Sequence, residues 1–150
     1  GFFRLGSPGV EEGEPLWIAG PHYPLTPCRV NGGPASCWFI DSGMSGMDLA
    51  CSESAARRHG AQPLSGSIEA RGGGGSMNAA AVRVSNFQHA GLEYPELTAA
   101  VLPGFSLGRD LGIRIGGIIG HSWLAKHRVQ LDYRAMQTHI TVKDVTQRSS

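Results

Sequence analysis

Apolar residues in this chain come in short runs broken by turn residues, and few runs hold a helical period. Residues 16–19 and 23–30 read as strands, with Pro24 and Pro27 placing the second at an edge or making it irregular. Asn31-Gly32-Gly33-Pro34 is a hairpin turn, because Asn and Gly accept positive φ. A dense apolar strand follows over 36–40 and runs straight into Asp41-Ser42-Gly43. Residues 52–59 carry helix signals, with Ser52 as the cap and Gly60 as the stop. Residues 68–70 and 77–84 read as two arms of a hairpin whose tip is Gly72, Gly73, Gly74 and Gly75. One or two strands lie within 92–102, with Pro95 as a break, and 109–116 reads as a loop. Ile118-Ile119-Gly120 is a short buried strand, and 122–127 suits one or two helical turns. Residues 128–133 and 138–142 alternate and pair as a closing hairpin. The pattern predicts a mostly antiparallel, mostly β domain with one or two short helices and no internal repeat.

Length and composition agree. The 150 residues suffice for one domain with its own core. Glycine supplies 22 of them and charged residues only 17%, which favours a turn-rich β fold over a helical bundle. The domain is placed at 16–145, with 1–15 as an arm rich in Gly, Pro and Glu and 146–150 as a tail. A formal net charge of +1 offers no electrostatic reason to bind nucleic acid or an anionic membrane. The longest apolar stretches, such as 37–40 and 78–84, fall far short of the ~18 residues a membrane span needs. Gly1-Phe2-Phe3-Arg4 does not open a signal-peptide pattern, and the compartment is left open. Cys28, Cys37 and Cys51 are odd in number and lack CxxC spacing, which fits neither a disulfide framework nor a zinc site. They read as buried, reduced thiols, the alternative being one bridge and one free thiol. Cys37, on an apolar strand, is expected to have a raised pKa and little reactivity.

The candidate chemistry starts at Asp41. A carboxyl at the end of the apolar strand Trp38-Phe39-Ile40 is expected to be partly desolvated, which raises its pKa toward the range of acid–base catalysis. Asp-Ser-Gly is equally an ordinary turn in which the Asp side chain accepts backbone N–H groups. The six histidines show no HxH or HxxxH pair, so no metal site is expected, and Ser45 and Ser122 lie outside any GxSxG. The four-glycine run is not followed by Lys-Ser/Thr, so it is not a phosphate loop.

A second element some eighty residues on changes the weight of the first. The chain shows Val30-Asn31-Gly32, then Phe39-Ile40-Asp41-Ser42-Gly43-Met44-Ser45, and then Ala55-Ala56-Arg57-Arg58-His59-Gly60. The glycine tip, Ile118-Ile119-Gly120 and Arg128-Val129-Gln130-Leu131-Asp132-Tyr133 follow. In order and spacing this resembles the retropepsin-like aspartic proteases, most of all their bacterial single-domain members, over roughly residues 24–143. The resemblance implies a small closed β-barrel-like fold and a peptidase without cofactor or metal. In that family two aspartates share a proton and hold the water that attacks the peptide carbonyl.

This chain has one Asp-Ser-Gly, half of such a dyad, so the resemblance implies a homodimer in which each copy supplies Asp41. Ser42 would bond across the dimer floor and Gly43 would admit the substrate backbone. Met44 and Ser45 would complete the active-site turn, and Ile118, Ile119 and Gly120 would support it. The tip glycines would form a flap over a peptide or protein substrate bound as an added strand. The glycine run reads alternatively as a disordered loop.

The chain departs from the family at Met44, where a small residue is usual. Ser45 and His121 stand where viral members have an acidic residue and an arginine, and Ser122 where bacterial members commonly have Asp. These departures motivate a second reading: a catalytically weak or inactive peptide-binding or scaffold module of the same fold. A third reading is a domain of a larger polyprotein or multidomain enzyme.

Overall fold

The computed structural model describes residues 14–19, 23–72, 75–103 and 112–142. Residues 1–13 of the expected arm, the tail at 146–150, the tip residues Gly73 and Gly74, and 109–111 of the expected loop lie outside them. Eleven strands and two short helices occur among the described residues. They are β1 (Glu14–Pro15), β2 (Trp17–Ala19), β3 (Tyr23–Val30), β4 (Ser36–Ile40), β5 (Leu49–Cys51), α1 (Glu53–Arg58) and β6 (Gln62–Gly72). They continue with β7 (Gly75–His89), β8 (Leu92–Val101), β9 (Ile115–Ile119), α2 (His121–Ala125), β10 (His127–Asp132) and β11 (Gln137–Val142).

One sheet runs β2-β3-β4-β9-β5-β8-β7-β6, and an extra pairing of β3 with β7 closes its middle six strands into a barrel. A smaller sheet, β1-β11-β10, lies beside it. Closure gives β3, β4, β9, β5, β8 and β7 neighbours on both sides, which removes exposed edges from the core of the fold.

Local chemistry accounts for the elements that the sequence predicts. Asn31 and Gly32 both take positive φ, 56° and 72°, as the tight β3–β4 turn requires. The Ser52 side chain accepts the Ala55 N–H at 3.1 Å and caps α1, and Gly60 at φ 67° ends it.

Four expectations change. First, β3 is not an edge strand: β2 pairs with it over Tyr23 to Leu25, β4 over Leu25 to Cys28, and β7 at Arg29 and Val30. The β2 and β4 pairings overlap only at Leu25, so Pro24 and Pro27 each face a single paired neighbour and the missing N–H costs no bond. Second, Pro95 does not break β8. Ser85 pairs with Glu96 and Phe87 with Tyr94, while Pro95 opposes Asn86, whose φ of 53° takes it out of the ladder. Third, the strand around Ile118 begins at Ile115, so Ile115 and Gly116 belong to it and not to a loop. Fourth, α2 starts one residue early and ends at Ala125, and His127 opens β10. Two strand pairs, β4–β9 and β5–β8, are parallel within the otherwise antiparallel sheet.

The core has two parts. The larger is built on Trp38, Phe87 and Trp123, all essentially inaccessible. Phe87 meets each tryptophan edge-on, with centroids at 5.3 and 6.2 Å. The smaller joins Met47, Ala50, Ala70, Ala79, Ala100, Leu102 and Ile118, with Phe39, Met44 and Ile68 packed against it. It fills the space between the 41–48 segment and β6–β7, so the loop after Asp41 rests on packed apolar side chains.

All three cysteines are free; Cys28 and Cys51 are buried and Cys37 half-buried. Burial pushes the Cys51 thiol up to about 11, with Arg58 pulling slightly the other way. Burial also raises Cys28 well above the ordinary thiol range, helped by Glu14 and Cys37, and raises Cys37. At pH 8 iodoacetamide should therefore label native protein at Cys37 only, and slowly, while denatured protein takes three labels by mass spectrometry. Rapid native labelling of Cys28 or Cys51 would contradict this packing.

Candidate active site

The strand ladder sets the position of Asp41. β4 lies parallel to β9, pairing Trp38 with Gly117, Phe39 with Ile118 and Ile40 with Ile119. The Asp41 N–H extends that ladder by one bond, donating to the Ile119 carbonyl at 3.0 Å. The chain then turns sharply. Asp41 Oδ1 accepts the Gly43 N–H at 2.9 Å, and the Met44 N–H reaches the Asp41 carbonyl at 3.3 Å. A Cβ at Gly43 would sit 3.3 Å from Asp41 Oδ1, so glycine leaves the carboxylate room in the turn. The turn reading and the candidate-site reading of Asp-Ser-Gly therefore describe the same atoms. Asp41 is half-buried, and Ser42 and Gly43 are exposed.

Ile118, Ile119 and Gly120 brace this turn from below. The Gly120 N–H donates to the Asp48 carbonyl and the His121 N–H to the Met44 carbonyl, both at 2.8 Å. A Cβ on Gly120 would meet the Met47 carbonyl oxygen at 2.8 Å and that of Met44 at 3.1 Å, so only glycine lets the two segments close up. The tie between the segments of Ser45 and His121 is thus a backbone bond at Met44. Met44 is half-buried and packs toward β6, its Cε 3.8 Å from where a Cβ on Gly72 would stand. Gly72 and Gly75 face each other at the end of β6–β7.

Asp48 and Asp132 are both engaged elsewhere. Asp48 bonds Lys126 Nζ at 3.1 Å; its side chain is 18% exposed against 61% for the lysine, so the pair sits at the rim. Asp132 Oδ1 accepts the N–H groups of Ala135 and Arg134, which hold that carboxyl below its ordinary range. A groove of about 440 Å³ opens beside the Asp41 loop, lined by Gly46, Met47, Asp48, Ile68, Thr98 and Lys126 among others. A separate cavity of about 420 Å³ between Pro27, His89 and Glu93 includes no residue of that loop.

The sequence did not reveal Gly46 as part of the site. Its φ is +92°, and a Cβ there would lie 2.2 Å from the Glu69 carbonyl oxygen. A glycine three residues after Gly43 hints at a special φ, but its partner on β6 is unreadable from the chain.

Three of the described histidines, His59, His89 and His127, are held by ring packing and backbone carbonyls. His59 bonds the Gly116 carbonyl at 3.0 Å and stacks on Trp38. His127 stacks on Trp123 and bonds both the Trp123 carbonyl and the Tyr94 hydroxyl. His89 bonds the Pro27 carbonyl through Nδ1 at 3.0 Å, and its buried Nε2 has no partner among the described residues.

Burial pushes the His89 imidazole down to about 4; the Pro27 carbonyl opposes the shift and nearby His127 adds to it. Native His89 is therefore neutral where the unfolded chain, with an ordinary value near 6.5, already binds a proton. Its contribution to stability is complete above pH 6.5 and is lost as pH falls to 4, about 3 kcal/mol over the window. Melting temperature measured against pH should fall through that window, and His89→Gln should flatten the fall while lowering the value at pH 7. An unchanged slope in the variant would remove His89 as the cause.

A closed six-stranded barrel with Asp-Ser-Gly at the end of one strand and Ile-Ile-Gly ending the strand parallel to it is a small retropepsin-like fold. A family model described as Aspartyl protease matches residues 26–123, and the chain belongs to that family. No curated protein and no solved structure matches the chain. Among the described residues, no three His, Cys, Asp or Glu are grouped to hold a metal, and no helix is long and apolar enough to cross a membrane.

Proposed function

We propose that the chain is one half of an aspartic endopeptidase, completed when two copies bring their Asp41 carboxyls together on a two-fold axis. The observation that carries this is the placement of Asp41. Strand pairing to Ile119 fixes its backbone at the barrel's surface, while Asp48 and Asp132 are committed to Lys126 and to a turn. One chain thus offers one catalytic carboxylate, and the dyad needs a second chain. With the two carboxyls close, one proton is shared between them. The ionised one takes a proton from water as the water oxygen bonds the peptide carbonyl carbon. The protonated one gives its proton to the carbonyl oxygen. The C–N bond of the resulting diol then breaks as the leaving nitrogen is protonated.

Association has a surface to use. Trp17 and Ile18 on β2, and Tyr133, Met136 and Val142 around β10–β11, are exposed large apolar side chains. Leu16 N–H bonds the Met136 carbonyl at 2.9 Å, which places β2 beside the turn end of the β10–β11 hairpin that carries Tyr133 and Met136. β6–β7, with glycines at its described end, is the flap in this reading, and the groove beside Gly46 and Ile68 receives substrate side chains.

A second reading, a peptide-binding module without catalysis, draws on Met44 packing toward β6 in place of a small residue. Sedimentation from low to high micromolar concentration, with peptide cleavage followed in parallel, separates the two. The peptidase should dimerise, and its specific activity should rise with concentration. A chain that stays monomeric throughout sinks the dyad and leaves the module.

A further inference from the structure

β6 makes a contact that its hairpin does not need. Arg71 stands opposite Ser76 of β7, but its N–H and C=O both serve Ser45 on the other side. The Arg71 N–H donates to the Ser45 carbonyl at 3.0 Å, and the Ser45 N–H donates to the Arg71 carbonyl at 2.8 Å, in an antiparallel bridge. In an antiparallel strand both groups of one residue lie on the same side, so Arg71 gives nothing to the β7 ladder. The contact is close on both flanks. Gly46, at φ +92°, lets the Glu69 carbonyl approach to where a Cβ would be 2.2 Å away, and Met44 reaches toward Gly72. The residues that follow the Asp41 turn are thus covered by backbone from Glu69 to Gly72.

An extended peptide binding as an added strand between β6 and the loop needs open N–H and C=O groups there. Ser45 offers both, and both are taken. We propose that β6 is an internal competitor for the peptide: the free chain caps its own Ser45 edge with Arg71, and a peptide binds only by displacing that bridge. The inference rests on peptide binding between β6 and the Asp41 loop, which both readings above share, and not on cleavage. The chain's binding-competent state is then a minor one, and apparent affinity is reduced by the fraction that is open.

A cysteine pair tests this, with a statine-containing hexapeptide as probe and calorimetry as readout. The pair Ser45→Cys with Arg71→Cys, oxidised, should lock the bridge and lose the probe, and dithiothreitol should restore binding. Undiminished binding by the oxidised pair, folded by circular dichroism, overturns the proposal. Peptide cleavage measured on the same samples keeps the two ideas apart. The predicted binding differences without any cleavage would sink the peptidase and leave the competitor, whereas cleavage with unaltered binding would do the reverse. No binding by any form would sink both.

Discussion

Asp41→Asn should lower peptide cleavage about 10³-fold and leave the melting temperature within a few degrees of wild type. The two halves of that expectation come from different atoms. Loss of the ionisable carboxyl removes the group that takes or gives the proton. The amide still presents an oxygen to the Gly43 N–H, now at 2.9 Å, and the backbone bond to Ile119 is unaffected. The turn therefore keeps its contacts while the chemistry is lost. Progress curves on a peptide library and a thermal melt measure both. Mixing adds a sharper arm, because each site in the dimer requires two Asp41 carboxyls. An equimolar, fully exchanged mixture of wild type and variant should keep about one quarter of the wild-type activity, against about one half if each chain worked alone. Full activity in Asp41→Ala would end the proposal.

The largest effect on stability is expected at Gly117, the residue just before the Ile118-Ile119-Gly120 element that supports the Asp41 turn. A Cβ there would sit 2.4 Å from Trp38 Cζ3 and 2.6 Å from the Ala50 carbonyl oxygen. The first contact is with a tryptophan that has no accessible surface and no room to rotate. The second is with backbone of β5, which pairs with β9 through Leu49 and Ala50. Gly117→Ala should cost about 3 kcal/mol, the upper range for overpacking a dense core, and show as a lowered urea midpoint with an unchanged slope. Gly116 gives a control of a different kind. Its Cβ would strike Ser36 Oγ and the Trp38 indole edge at 2.4 and 2.5 Å, and both belong to side chains. Gly116→Ala should also destabilise, because the Ser36 hydroxyl can turn aside but the enclosed Trp38 indole cannot. Equal stability of Gly117→Ala and wild type would show that β5 and β9 separate more easily than the ladder between them implies.

Both residues show how much was legible in the chain. Asp41 and its turn were readable because their signals are local: an apolar strand, an acid at its end, and a glycine two residues on. The α1 cap, the Asn31-Gly32 turn and the closing hairpin were readable for the same reason. The strands of β6 and β7 were seen only in part: 62–67 of β6 is polar and largely exposed, while 85–89 of β7, with Phe87 and His89 buried, is held in the sheet by β8 and β3. Pro27 and Pro95 misled, since a proline's cost depends on whether a neighbour lies on its N–H side.

By itself, then, the sequence determined a β-rich domain, the Asp41 turn, the buried Ile-Ile-Gly element and their order along the chain, because φ preferences, caps and alternation act over a few residues. Only the tertiary structure decided that β9 runs parallel to β4 and hands Asp41 its last backbone bond. It alone decided that Gly46, Gly117 and Gly120 are sites of close approach, and that Arg71 occupies the Ser45 edge. Those facts depend on which segments, tens of residues apart, come to share a hydrogen-bond ladder once the barrel closes.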